Sequence, residues 1–232
     1  MKRRLAVTAV AATMALTGQM AVPALADEGR GLEAVPFEFV GKAGDCGAAA
    51  GSRIVTAAWL KGMGLPDTDD PNKKDHHFGL LLSKNGPTAD CSAAGASIKG
   101  VKGMTVSETF EVGFDYRNGG HCGAGAPRFN VTTRAGTFHF VGGCANDHAP
   151  TPAPQDPLEW TRVRFQTSDP TESFPPIPPG SVIDSISLIF DEGTEVPTVQ
   201  DPNGVGLSVV DNIFINGQVI RSGKRGDPDD DD

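Results

Sequence analysis

Large polar aromatics are scarce in this chain of 232 residues, which holds 2 tryptophans and 1 tyrosine beside 12 phenylalanines. Helical signal is scarcer still. Apolar residues alternate instead of recurring every three or four, and 29 glycines and 18 prolines interrupt the chain, which excludes a helical bundle. Common catalytic signatures are missing: there is no G-x-S-x-G elbow, no H-E-x-x-H, no phosphate-binding loop and no E-x-D-x-x-E carboxylate pair. Clustered cations are lacking too. With 20 Lys and Arg against 29 Asp and Glu the net charge is -9, which argues against nucleic acid or anionic lipid and suits neutral ligands or divalent cations. Beyond the N-terminus no apolar run is long enough to span a bilayer, and no internal repeat is present.

The first residues carry the clearest signal. Met1-Lys2-Arg3-Arg4 opens an apolar stretch that ends at Ala24-Leu25-Ala26, the pattern of a secretory signal peptide over residues 1–26. A retained anchor is the alternative, but Thr8, Thr13, Thr17, Gly18 and Gln19 dilute the run and a small-x-small site closes it. Export would make the mature chain extracellular and, by removing Lys2, Arg3 and Arg4, leave 17 cations against 29 acids, a balance of -12. The rest suits one large β domain or two small ones. Residues 27–221 read as a single domain, with the proline-rich stretches 148–158 and 169–180 as stiff loops, because the piece beyond them holds too few strands for its own core. Residues 222–232, ending in Asp229-Asp230-Asp231-Asp232, read as an acidic disordered tail.

Four cysteines in an exported chain read as two disulfides. Cys122 and Cys144 bracket two β-like runs, PRFNVTTR and TFHFVGG, and so pair as neighbours at the open end of a hairpin. Cys46 then pairs with Cys91. A zinc site on Cys122, Cys144 and His121 or His148 is the competing idea, opposed by the absence of C-x-x-C and by the oxidising compartment.

Strands are expected near residues 53–60, 77–83, 95–101, 106–117, 127–134, 136–142, 159–167, 181–191 and 206–216, an all-β sandwich or barrel. Alternation assigns faces. Phe110, Val112, Phe114 and Tyr116 point to the core, as do Phe129, Val131 and Thr133, and Thr161, Val163 and Phe165. If these strands share a sheet, its outer face gathers Asp115, Arg117, Arg128, Asn130, Trp160, Arg162 and Arg164. Such a face fits a sugar, with Trp160 stacking on the ring and the polar groups bonding its hydroxyls. A merely solvated, cross-paired face is the alternative. In GLSVVDNIFING the core phase runs Leu207, Val209, Asp211, Ile213, Ile215, so a carboxylate falls among apolar residues unless a bulge turns it out.

Three of these segments resemble a known group. VVDNIFING looks like the closing strand of jelly-roll carbohydrate-binding modules and galactose-binding-like domains, WTRVRF like another of their strands, and FEFVG like their opening run. The middle segments are similar to those of exported bacterial proteins. The resemblance implies an antiparallel jelly-roll β-sandwich, a non-catalytic carbohydrate- or cell-surface-binding role, and a structural calcium on Glu38 and Asp211. A secreted hydrolase or lyase on the same scaffold, and a structural envelope or matrix protein, are the other readings. The acids Asp191, Glu192 and Glu195 read as a solvated loop, the run Asp67, Asp69, Asp70, Asn72, Asp75 as another, and His121, His139 and His148 as unrelated neighbours of the hairpin.

Overall fold

A computed structural model describes residues 31–41, 54–67, 75–199 and 201–221. The residues expected to form an export leader, Cys46 and its expected bridge to Cys91, the expected tail and the middle of the Asp67–Asp75 run lie outside the described residues. The regular structure described is almost entirely strand: β1 (Glu33–Phe39), β2 (Ile54–Leu60), β3 (Gly79–Asn85), β4 (Ala93–Lys99), β5 (Glu111–Arg117), β6 (Arg128–Thr133), β7 (Phe138–Gly142), β8 (Thr151–Pro152), β9 (Trp160–Gln166), β10 (Ser173–Phe174), β11 (Ile183–Phe190), β12 (Leu207–Ile215) and β13 (Gln218–Ile220). Among the described residues helix is confined to single 3-10 turns at Thr88–Asp90 and Cys144–Asn146.

The strands form an antiparallel two-sheet sandwich. Sheet I has the order β1-β4-β11-β6-β7-β10, and sheet II the order β2-β3-β12-β5-β9-β8 with β13 on β12. The chain repeatedly crosses from one sheet to the other. Between β5 and β6 it does so through the glycine-rich segment Asn118–Pro127, so two strands adjacent in sequence lie on opposite layers.

The core lies between the sheets, and its phase follows the alternation read from sequence. Val112, Phe114 and Tyr116 of β5, Phe129 and Val131 of β6, and Val163 and Phe165 of β9 are all buried in one cluster. Phe114 of sheet II meets Phe129 of sheet I with ring centroids 5.9 Å apart, and its own-sheet neighbour Phe165 at 6.2 Å. Burying one such side chain stabilises the fold by about 2–3 kcal/mol. Cys122 and Cys144 are bonded, with Cα atoms 5.3 Å apart, and close the β6–β7 hairpin as its sequence implied.

β12 departs from expectation. Its pairing with β5 shifts register between Asp211 and Phe214, and Asn212 takes a φ of 44° at that point. The extra residue resets the alternation. Val210, Ile213 and Ile215 enter the core, while Leu207, Val209 and Asp211 point to the outside of sheet II. Asp211 is nevertheless buried, because the segment that follows β2 folds across it and gives Leu65 N–H to its Oδ2 at 2.7 Å. Gly64 is required for that approach, since a methyl there would overlap the Phe78 carbonyl and stand 2.5 Å from Asp211 Oδ2.

Candidate functional site

The seven residues expected on one face are divided between two. Asp115 and Arg117 on β5 and Trp160, Arg162 and Arg164 on β9 lie in sheet II, whereas Arg128 and Asn130 on β6 lie in sheet I, on the opposite side of the sandwich. Alternation within a strand fixes which way a side chain points relative to its own sheet. It carries no information about which sheet the strand joins.

The sheet II half is closed by its own interactions. Asp115 is fully buried and receives Arg162 Nε at 2.8 Å and Nη2 at 2.9 Å, a bidentate pair across the β5–β9 register. Asn212 Nδ2 adds a bond at 2.8 Å to the same carboxylate, and Arg164 Nη1 approaches it at 3.4 Å. The hydrogen bond to Asp115 raises the Arg162 pKa above its usual value, whereas burial lowers that of Arg164. Arg164 lies over the Phe214 ring at 4.7 Å and bonds the carbonyls of Phe114 and Val163. Trp160 is 4% exposed, packed with Leu65, Ala153 and Val209 beneath the loops that cover this face. It is a second small core and no stacking platform, which corrects the expectation for that residue. Arg117 is exposed at the strand end.

Glu38 and Asp211 are not brought together either. Glu38 is exposed on β1 and accepts Ala57 N–H at 3.1 Å, while both oxygens of Asp211 accept backbone N–H groups, from Leu65 at 2.7 Å and Asn212 at 2.6 Å. Among the described residues no group of three or more His, Cys, Asp or Glu is arranged to hold a metal ion. Burial pushes the Asp211 carboxyl up to about 8, against the pull of its two backbone bonds.

At one end of the sheet II face a polar cavity of about 380 Å³ is walled by Glu111, Asp147, His148, Arg162, Arg164 and Glu172. Glu172 is raised by burial, and its carboxylate accepts Gln166 N–H at 2.6 Å with His148 Nδ1 3.5 Å away. Asp147 is engaged by Arg164 N–H at 2.9 Å.

The outer face of sheet I is different in kind. Phe138 and Phe140 of β7 and Phe174 of β10 are 44%, 43% and 44% exposed. Cross-strand register sets Asn130, Phe140 and Phe174 side by side in one row, with Thr132 opposite Phe138 in the next. Phe138 and Phe140 meet edge to face at 4.9 Å, and the Arg128 guanidinium sits over the Phe140 ring at 4.9 Å. Arg128 is itself held by Asp191 at 2.6 and 2.8 Å and by the Gly125 carbonyl at 2.7 Å, so its place over the ring is fixed. Asn130 Oδ1 is buried without a hydrogen-bond partner. Ser187 of β11 and Ser97 of β4 continue the row inward across the sheet.

Sequence reasoning placed Arg128 and Asn130 outward and missed the three phenylalanines. The alternation in TFHFVGG was signal enough for two of them, since it sets Phe138 and Phe140 opposite His139 and Val141, which are buried. Phe174 was hidden in a proline-rich stretch read as loop.

No family model matches the chain, and no curated protein matches it. Among solved structures it is similar to the family 11 carbohydrate-binding module of the cellulosomal cellulase Lic26A-Cel5E of Clostridium thermocellum, at 15% identity and a TM-score of 0.40, over 84% of this chain and 93% of that one. A likeness at that level establishes neither family nor function.

Proposed function

We propose that this is a secreted, non-catalytic binding protein, built on a jelly-roll-like sandwich, that takes an extracellular glycan on the outer face of sheet I. The observation that carries the reading is the row of exposed Phe140 and Phe174 beside Asn130, with Phe138 against them and Arg128 fixed over Phe140. An aromatic face carries negative charge density, to which the polarised C–H bonds on one side of a pyranose pack. The hydroxyls of Thr132 and Ser187 supply donors and acceptors on the same face for the sugar's hydroxyls. Apolar rings interleaved with neutral polar groups suit a ligand that is itself amphipathic and uncharged. Export rests on the N-terminal sequence, and the Cys122–Cys144 disulfide is compatible with it.

The hydrolase or lyase alternative has less behind it. Of the acids in the sheet II cavity Glu172 is shifted toward a proton donor's range, but Asp147 is held by a backbone amide and Glu111 is bonded by the Gln166 side chain at 3.3 Å. A glycan array probed with residues 27–232 tests the binding reading directly. Wild type is expected to bind, and Phe140→Ala and Phe174→Ala each to weaken binding about five- to tenfold, as the loss of roughly 1 kcal/mol of ring contact requires. A blank array, or binding that neither substitution alters, removes it.

A further inference from the structure

The acids after β11 are not the solvated loop their sequence suggests. Asp191 is the bidentate partner of Arg128, and the Glu195 carboxylate accepts the Thr88 amide. Glu192 does something else. Its Oε2 lies 2.6 Å from Nε2 of His121, a side chain with no exposure at all. On the far side of that imidazole, Nδ1 stands 3.5 Å from Oδ2 of the buried Asp201, which is fixed by Val205 N–H at 2.7 Å. Phe190 presents its ring at right angles to His121, 5.4 Å away, and the His121 amide is bonded to Leu207 O at 2.7 Å. A carboxylate, an imidazole and a second carboxylate are therefore stacked inward from the surface, with only Glu192 reaching outward.

Glu192 opens onto a cavity of about 840 Å³ beside the Cys122–Cys144 disulfide. Its place at the wall is shaped by the backbone. A methyl on Gly125 would overlap Glu192 Oε1, and one on Gly123 would stand 2.8 Å from Oε2. Among the described residues that line it the rest of the wall is small or apolar, Ala124, Ala145, Val196, Pro197 and Pro202 included, and Glu192 is the one charged residue. The volume falls within the range of small-molecule sites, about 300–1,000 Å³.

We propose that this cavity is a second ligand site, for a small primary ammonium compound with an apolar body, and that Glu192 is its counter-ion. An ammonium group brings three donors to a carboxylate. A charge-assisted bond of that kind is about twice as strong as a neutral one, and stronger still where water is displaced by apolar walls. The chain's overall negative charge draws cations toward it. An anion of the same shape meets a carboxylate with no cation among the described lining residues to balance it, and a neutral alcohol gains only the weaker bond. The site lies apart from the phenylalanine row and does not depend on glycan binding.

Calorimetric titration of residues 27–232 at pH 7 with n-hexylammonium chloride, 1-hexanol and sodium hexanoate decides the matter. Hexylammonium is expected to bind at least about tenfold more tightly than hexanol, with hexanoate showing no binding, and Glu192→Gln to weaken the amine about tenfold or more. Val196→Phe sets a ring into the cavity wall while leaving the Glu192–His121 pair in place, so it is expected to change amine affinity with the melting temperature maintained. Should Glu192→Gln fail to fold, the Val196→Phe result and the amine-over-alcohol preference still decide. No binding of the amine, equal binding of alcohol and amine, or amine affinity that Val196→Phe leaves unchanged overturns the proposal.

Discussion

Asp211 shows how a single carboxylate can be both satisfied and expensive. Each oxygen accepts a backbone amide, yet the group is pushed up to about 8 because burial between β12 and the crossing segment outweighs those bonds. In the unfolded chain an aspartate releases its proton near pH 4. The native state therefore holds more protons than the unfolded state between about pH 4 and 8, and the stability from this residue is full below that window and falls as pH rises through it. The fall is at most about 5 kcal/mol. Asp211→Asn keeps an acceptor for Leu65 N–H and removes the titration, so urea unfolding at pH 4.5 and pH 8 should show a smaller loss in the variant. An equal loss in both proteins would assign the pH dependence elsewhere.

At the scale of elements, the hairpin of β6 and β7 was the most legible piece. Its alternation, its glycine turn and its flanking cysteines all agree, and Cys122 and Cys144 close it over a sequence separation of 22. A loop of that length is worth about 3 kcal/mol in the chain-entropy model. Replacing both cysteines by serine should lower the thermal midpoint by several degrees, about 4 °C or more, while leaving β-sheet circular dichroism unchanged. A midpoint that does not move would mean the bridge adds nothing to the fold. The strands read from alternation were found with ends displaced by a few residues, except that residues 106–110 form a turn ahead of β5. β12 was read to within a residue of its bounds, and of the two readings open for Asp211 the bulge is the one found; it also turns Leu207 and Val209 away from the core, which the carboxylate in core phase did not signal. The short strands β8 and β10 were lost among prolines, and with β10 went Phe174.

At the scale of the whole molecule the decisive unknown was which strands share a layer. Periodicity placed Arg128 and Arg162 outward correctly, but nothing local distinguishes a β5–β6 hairpin from a crossing between sheets. One imagined face thus became two, one braced by Asp115 with its arginines and one bearing exposed rings. Trp160 separates their roles. Since it is buried with Leu65, Ala153 and Val209, Trp160→Ala should cost about 3–5 kcal/mol of stability and leave the glycan preference of the surviving folded protein unchanged. Loss of glycan binding without loss of stability would return the ligand to sheet II.

The borders of sheet I carry a consequence of another kind. On one side β10 is two residues long and is followed at once by Pro175 and Pro176, and on the other β1 carries Pro36 and the exposed charge of Glu38. An unpaired strand edge is a template on which a neighbouring chain can add its own strand. Here one edge is too short to serve and the other is interrupted, as edges protected against self-association are. On the proposed glycan reading, copies bound to one polymer would lie flank to flank at high local concentration, and borders of this kind disfavour strand addition between them.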